Sequence, residues 1–298
     1  MTPSIAGPWY TSLHGGHSGE YCDHAVGTLR EVIEAAIFKG FETYGISEHA
    51  PRHGEIYRYA NERALGWSLE KIIADFESYA AAIFSLAEEY GDRITLLRGY
   101  EIEVVPHDIY PRIMLDYRER FRFDYMIGSV HYLHDISIDS TVEEFDQVLA
   151  ICGGLDQLAV AYYESVSKMI TDLEPEVVGH LDLVRKNGHL YGQLDTPSIR
   201  EAADATLEVV RKHDCILDLN TAGWRKGLDS PYPAPWLLKR AHAMGIPFCF
   251  GDDSHGPELV GAGIPEAREY LLANGIETVT VLQRNADSVQ RKVVSLEP

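Results

Sequence analysis

The stretch that decides the fold runs from Ser68 to Glu103 and reads SLEKIIADFESYAAAIFSLAEEYGDRITLLRGYEIE. From Ser68 to Tyr90 the apolar residues recur at helical spacing, and the pattern stops at Gly91. Ile94 to Glu101 is then a short apolar run with the length of a buried strand. The run ends on carboxylates, Glu101 and Glu103. Helix, brief turn, buried strand and a polar residue at the strand's end make one unit.

That unit recurs along the chain. The helical pattern Thr28–Lys39 stops at Gly40, and the strand Phe41–Ile46 leads into Glu48 and His49. Strand Phe123–Val130 leads into His131. Helical stretches Val142–Ile151 and Leu155–Leu173 precede strand Glu176–Gly179, which leads into His180 and Asp182. Helix Ser198–Lys212 precedes strand Cys215–Leu219 and Asn220. Helix Ala234–Met244 precedes strand Pro247–Phe250, followed by Asp252, Asp253 and His255. His14, His17 and His24 lie before the first helix, and Glu277–Leu282 reads as a last strand.

Alternating strands and helices with short connections predict an α/β fold with a parallel sheet covered by helices. Seven or eight units favour a closed or nearly closed barrel over an open doubly wound sheet. No GxGxxG follows the first strand, which leaves a dinucleotide-binding fold without support. In an α/β barrel the C-terminal ends of the strands face one mouth, where the active site lies. A single polar residue after a strand is an ordinary loop beginning. A metal-ligating type at nearly every strand end points to a shared site.

Composition is consistent with this. The chain has 298 residues, with 26 Lys and Arg against 46 Asp and Glu, a net charge of −20. Such a charge argues against binding nucleic acid or anionic lipid, which are held by Lys and Arg. The 13 histidines are scattered from His14 to His255 rather than clustered in a tag. No apolar run approaches the roughly 18 residues of a membrane span. Met1 to Ser12 has no basic stretch followed by an apolar one, so a secretory signal is not expected. Cys22, Cys152, Cys215 and Cys249 form no CxxC pair and read as buried free thiols in a cytoplasmic protein. Without repeats or linkers, the chain is expected to be one domain over 1–298, close to the size of an α/β barrel of about 250 residues.

Neutral imidazoles with carboxylates suit Zn, Mn or Fe. Seven histidines and two acids exceed the coordination of one ion, so two or three ions are expected. A cluster of that kind can clamp an in-line displacement at phosphorus.

Several segments together resemble the PHP (polymerase and histidinol phosphatase) superfamily, and within it the monofunctional histidinol-phosphatases. They are His17-Ser18-Gly19 with Cys22-Asp23-His24-Ala25, Ser47-Glu48-His49-Ala50-Pro51-Arg52, Gly99-Tyr100-Glu101-Ile102-Glu103, Gly128-Ser129-Val130-His131, Gly179-His180-Leu181-Asp182 and Gly251-Asp252-Asp253-Ser254-His255. Leu219 to Lys226 is similar to a segment of the histidinol-phosphatases rather than of the polymerase-associated members. The resemblance runs from about His14 to about Gly261.

It implies a distorted (β/α)7 TIM-like barrel with its metal site at the C-terminal ends of the strands. It further implies three divalent ions. His14, His17, Glu101 and Asp253 would hold the first. Glu101 would bridge to a second held by His131 and His180, and His24, His49 and His255 would hold the third. The family's first motif is His-x-His, whereas this chain has His14-Gly15-Gly16-His17, so either His14 still reaches the site or the first ion lacks a ligand.

The reaction implied is hydrolysis of L-histidinol phosphate to L-histidinol and phosphate. Alternatives are hydrolysis of another small phosphate ester, or a metal-binding barrel impaired by its first motif. Glu101, His131, Asp253 and His255 are the expected catalytic residues. Arg52, Arg185, Arg225 and Lys226, each near a motif, are candidates for the phosphate oxygens. Glu103, Asp182 or Asp252 would face the substrate's amine and imidazole, or else support a metal-bound histidine. For the leaving group, either metal coordination of the alkoxide suffices or an acid such as Asp252 or His134 protonates it, His134 being otherwise an ordinary loop residue. Pro51 to Trp67 is either a cover for the mouth or an ordinary loop. The oligomeric state stays open.

Overall fold

Six short apolar runs pair in parallel, in chain order: β1 (Thr43–Ile46), β2 (Thr95–Glu101), β3 (Tyr125–Gly128), β4 (Val177–Val178), β5 (Ile216–Asn220) and β6 (Phe248–Gly251). The structure is a computed structural model that describes residues 7–285 and 288–297. The expectation for Met1 to Ser12 therefore falls partly outside the described residues, and that for one domain over 1–298 extends beyond them. Register places Gly45 opposite Leu97, Glu101 opposite Ile127 and Asn220 opposite Gly251. Nearly every strand position is buried, as expected for a parallel sheet covered on both faces.

The two edges of this sheet are joined by the segment 12–15. Gly45 N donates to Ser12 O (2.8 Å) and Leu13 N donates to Phe250 O (2.9 Å). Ser47 N donates to Gly15 O (2.9 Å), and Asp253 N to His14 O (2.8 Å). The segment is a seventh stave between β1 and β6, and the result is a distorted (β/α)7 TIM-like barrel.

The helices lie outside. In α1 (Leu29–Phe38), Thr28 and Glu31 form a capping box that satisfies the first free amides. Helix α2 (Leu69–Glu89) buries Phe76, Tyr79, Ala80, Ile83 and Leu86, one face at helical spacing. Its Tyr79 Oη donates to Gly99 O at 2.6 Å, fixing the helix against β2. Helices α4 (Val142–Cys152), α5 (Leu155–Leu173), α6 (Pro197–Lys212) and α7 (Pro235–Ala243) fall where the pattern predicted them. Two more, α3 (Tyr110–Phe121) and α8 (Ile264–Ala273), were not read from the sequence. Helix α3 buries Tyr110, Met114 and Tyr117 at i, i+4 and i+7 among charged neighbours, which masks its periodicity.

The last predicted strand is a correction. Glu277–Leu282 does fall in a strand, β7 (Thr278–Asn285), but it pairs antiparallel with β8 (Ser288–Ser295) and lies outside the barrel sheet. Its Leu282 joins Leu13, Leu97, Tyr125, Ile127, Val177, Ile216 and Cys249 in a separate buried cluster. These are inward-facing positions of the staves, and Leu282 of the hairpin packs against them inside the barrel. Side chains alternate along each strand. Leu97, Gly99 and Glu101 point inward on β2, as do Ile216, Asp218 and Asn220 on β5. Leu96, Tyr100, Leu217 and Leu219 pack outward into the main core. The polar inward positions therefore gather above that inner apolar cluster.

Candidate metal centre

Glu101, at the end of β2, is the hub of the site. Its Oε1 lies 3.1 Å from His180 Nε2 and 3.3 Å from both His14 Nε2 and His131 Nε2. Its Oε2 lies 3.0 Å from His49 Nδ1 and 3.9 Å from His17 Nε2. Burial opposes ionisation of Glu101, yet His14, His49 and His131 hold its carboxyl well below the usual range. Burial opposes a charge on His14 too, but Glu101 and Asp218 raise its pKa well above the ordinary value. Burial, with His255 and His49 beside it, pushes His17 well below.

The altered first motif brings both its histidines to this hub. Gly15 has φ +148° and Gly16 φ +78°, conformations that disfavour any residue with a Cβ. A Cβ on Gly15 would sit 2.0 Å from Asp252 Oδ1 and one on Gly16 2.6 Å from Ile46 Cδ1. Gly15 N donates to Ser47 Oγ (3.0 Å) and Gly16 N to Ser254 Oγ (2.9 Å), so the extra residue is absorbed in a pinned bulge. His180 (φ +24°) and Asp253 (φ +48°) also hold strained backbone, as is common where side chains are aimed for function.

The donor set fits metal ions. His17 is wholly buried and neither ring nitrogen has a hydrogen-bond partner; His14 Nε2, His49 Nε2 and Glu101 Oε2 are likewise buried and unpartnered. Each such atom costs about 1–3 kcal/mol when left unsatisfied, a cost that a cation among them removes. Four overlapping groups have donor atoms within 4.8 Å of one another: His14, His17 and Glu101; His17, Asp253 and His255; Glu101, His131 and His180; and Cys22, His24, His49 and His255. All nine expected ligands fall in these groups. Cys22 joins them, although its spacing from the other cysteines gave no metal signal.

Supporting contacts orient the rings. His131 Nδ1 lies 3.3 Å from Glu103 Oε2, and His255 Nδ1 donates to Asp253 O (3.0 Å). Asp218, missed in the sequence, reaches His14 and accepts from Asn220 Nδ2 at 3.0 Å. Its signal was present: it sits two residues before Asn220, on the same inward face of β5. Gly251 makes room for it, since a Cβ there would lie 2.1 Å from Asp218 Oδ1.

A cavity of about 480 Å³ opens onto the cluster, and Glu101, His131, His180, Asp253 and His255 line it. Arg225 and Lys226 line it too, together with Lys186 and Asp139, which the sequence did not single out. Lys226 Nζ lies 3.1 Å from Asp253 Oδ2, and Arg225 Nη2 donates to Asp253 O (3.1 Å). Asp139 lies 3.4 Å from Lys186 Nζ; burial opposes its charge, but Lys186, His131 and Lys226 hold its carboxyl below the usual range. From the segment Pro51 to Trp67, Tyr59, Ala60 and Asn61 form part of the wall.

Other candidates lie behind that wall. Arg52 is buried, ion-paired with Glu62 and 3.7 Å from Glu103 Oε1, and stacked 3.8 Å over Tyr59. Arg185 is buried against Asp182, Ser230 and Pro231 O. Neither lines the cavity, because each guanidinium is taken up by the protein's own acids. Asp182 also accepts from Ala234 N (2.7 Å), and Asp252 from Tyr44 Oη (2.8 Å) and Gly261 N (2.6 Å), so both are structural anchors away from the opening. His134 is exposed in a hairpin turn, at φ +50°.

Comparison with known proteins gives a consistent picture. The PHP domain profile matches residues 14–222. A Schizosaccharomyces pombe protein named "Probable histidinol-phosphatase" is 30% identical over 91% of this chain and 89% of its own. The Bacillus subtilis histidinol-phosphatase is 29% identical over 81% of this chain and 92% of its own. Among solved structures, the histidinol phosphate phosphatase of Lactococcus lactis, complexed with zinc, L-histidinol and phosphate, superposes with a TM-score of 0.70. It covers 94% of this chain and 98% of its own at 20% identity, a likeness of fold.

Proposed function

The chain belongs to the PHP domain family, and from that premise we propose that it hydrolyses L-histidinol phosphate to L-histidinol and phosphate. The observation that carries this reading is a single carboxylate, Glu101, facing five imidazoles beside a cavity lined by Lys186, Arg225 and Lys226. The relatives named for this activity span most of the chain, which supports the choice of ester. With His14 beside Glu101, the altered first motif gives no reason to regard the barrel as impaired.

Three divalent ions are the proposed cofactors, of Zn, Mn or Fe, all suited to imidazole and carboxylate donors. His14, His17, Glu101 and Asp253 would hold the first, Glu101, His131 and His180 the second, and His24, His49 and His255 the third. The chemistry such ions supply when bound is activation of a water and neutralisation of the phosphoryl oxygens.

The chain's own residues do the rest. Asp218 and Glu103 orient the rings of His14 and His131, as acids behind a ligating histidine do. Arg225 and Lys226 bind the phosphate oxygens as charge shifts onto them, and Lys226 also holds Asp253. Asp139, kept ionised at the cavity wall, accepts from the substrate's ammonium. Arg52 and Arg185 act through Glu103 and Asp182 rather than on the substrate.

The whole chain, 1–298, is proposed as one catalytic domain working in the cytoplasm. Four free cysteines fit a reducing compartment, and among the described residues no helix is long and apolar enough to cross a membrane. The test is to reconstitute the purified chain with metal, count the ions and measure phosphate release from histidinol phosphate. Fewer than two ions per chain with no release refutes the reading. Faster turnover of a sugar or nucleotide phosphate replaces the substrate while keeping the site.

A further inference from the structure

We propose that Cys22 supplies a thiolate ligand to the third metal position, which becomes a Cys22, His24, His49 and His255 set; this rests on the three-ion reading above. Cys22 is 5% exposed; His24 Nδ1 is taken by Asp23 Oδ1 at 3.0 Å, and Cys22 Sγ lies 3.6 Å from the remaining ring nitrogen, His24 Nε2. Donor atoms of all four residues lie within 4.8 Å of one another. With zinc–sulfur and zinc–nitrogen bonds near 2.3 and 2.0 Å, sulfur and nitrogen in one tetrahedral shell are roughly 3.5 Å apart. The observed separation is on that scale.

The neighbouring rings are turned the right way. His255 Nδ1 is occupied by Asp253 O at 3.0 Å, which leaves Nε2 for a ligand. His49 Nδ1 faces Glu101 Oε2 at 3.0 Å, and its buried Nε2 has no hydrogen-bond partner. A tight turn sets the sulfur in place, with Cys22 N donating to Ser18 O at 2.9 Å. An inert buried thiol needs no imidazoles around it. Cys215 and Cys249, the other buried cysteines, sit in the apolar surroundings of the sheet.

On binding, the Cys22 thiol gives up its proton to solvent as the divalent ion enters, so one proton is released per ion and no redox partner is needed. A thiolate is a soft ligand and favours Zn, Co or Fe over Mn, so the third position is expected to differ in metal preference from the first two.

The experiment uses the full chain stripped of metal and titrated with cobalt(II), with near-ultraviolet absorption and bound cobalt both recorded. The expected result is a thiolate-to-cobalt charge-transfer band as the sites fill. In Cys22→Ser the band is lost and one cobalt per chain binds roughly tenfold more weakly or not at all, with the far-ultraviolet circular dichroism unchanged. Cys152→Ser, at the half-exposed end of α4, keeps the band. Cobalt binding without the band, or a band that survives Cys22→Ser, overturns the proposal and leaves the phosphatase reading standing. A chain that binds no cobalt overturns both. Should Cys22→Ser not fold, alkylation of Cys22 in the unaltered chain decides: zinc slows it roughly tenfold if the sulfur is a ligand, and an unchanged rate refutes it.

Discussion

His14 Nδ1 lies 2.7 Å from Asp218 Oδ2, and both side chains are wholly buried. The carboxylate accepts from Nδ1 and so presents Nε2 to Glu101, 3.3 Å away. A residue from the start of the chain is thereby oriented by one from the fifth strand of the sheet. Replacing Asp218 by Asn keeps the shape and removes the charge. Metal affinity or turnover should fall about 10- to 100-fold, as is typical of an acid behind a ligating histidine. Metal content and phosphate release check this, and unchanged values for both refute the role.

The bulge that admits His14 depends on its glycines. In Gly15→Ala the new Cβ meets Asp252 Oδ1 at 2.0 Å in a backbone conformation that L side chains rarely adopt. The expected cost is roughly 2–4 kcal/mol, combining overpacking and strain. A urea midpoint equal to that of the unaltered chain counts against the pinned bulge.

Charged residues near the site should separate by role. Lys226→Ala removes a cation from the cavity and should raise KM or lower kcat with little change in stability beyond that of Asp253's freed carboxylate. Arg52→Met leaves Glu62 and Glu103 buried without their cation, which should cost about 3–5 kcal/mol. Thermal melts and steady-state kinetics on both variants distinguish binding from support. An Arg52→Met protein of normal stability with a raised KM reverses the assignment.

Metal removal should destabilise the fold, because the proposed ligands are distributed over the strand ends. Ions present at a thousandfold over their dissociation constant stabilise by about 4 kcal/mol per site. The melting temperature should fall with a chelator and recover on adding zinc or manganese. A midpoint indifferent to the chelator contradicts a metal-holding cluster.

Alkaline stability tests the core. Burial pushes the Cys215 thiol from 9.0 up to about 12. A group raised in the folded state contributes its full stability below the unfolded value and loses it as pH rises to the folded one. Stability should therefore fall between pH 9 and 12, by at most about 1.4 kcal/mol per unit from this group. Cys215→Ala should show a shallower decline in urea titrations across that window, and parallel slopes contradict it.

Much of this was legible in order along the chain. Periodicity alone marked all six sheet strands and most of the helices, since burying a strand between helices and its barrel's interior demands a continuous apolar run. The ligand types stood at the strand ends, where an outgoing loop must begin. Helix α3 was missed because Arg112, Arg118 and Arg120 dilute its apolar face. Asp218 was missed because it interrupts an apolar run rather than ending it, although its inward parity with Asn220 marked it.

What the sequence determined by itself was the alternation of elements and the chemical types of the residues at the mouth, because both are local properties of pattern and composition. What the tertiary structure decided was which charges meet. Arg52 and Arg185 read as free cations until Glu62, Glu103, Asp182 and Ser230 were seen to take them up. Lys186 and Asp139 carried no signal in the sequence and are brought to the cavity with Lys226 only by the fold. Cys22 read as an inert thiol until His49 and His255, from distant parts of the chain, closed around it and its neighbour His24. Ion pairing and coordination depend on distances of a few ångströms between residues up to about 240 positions apart, and only the closed barrel fixes those distances.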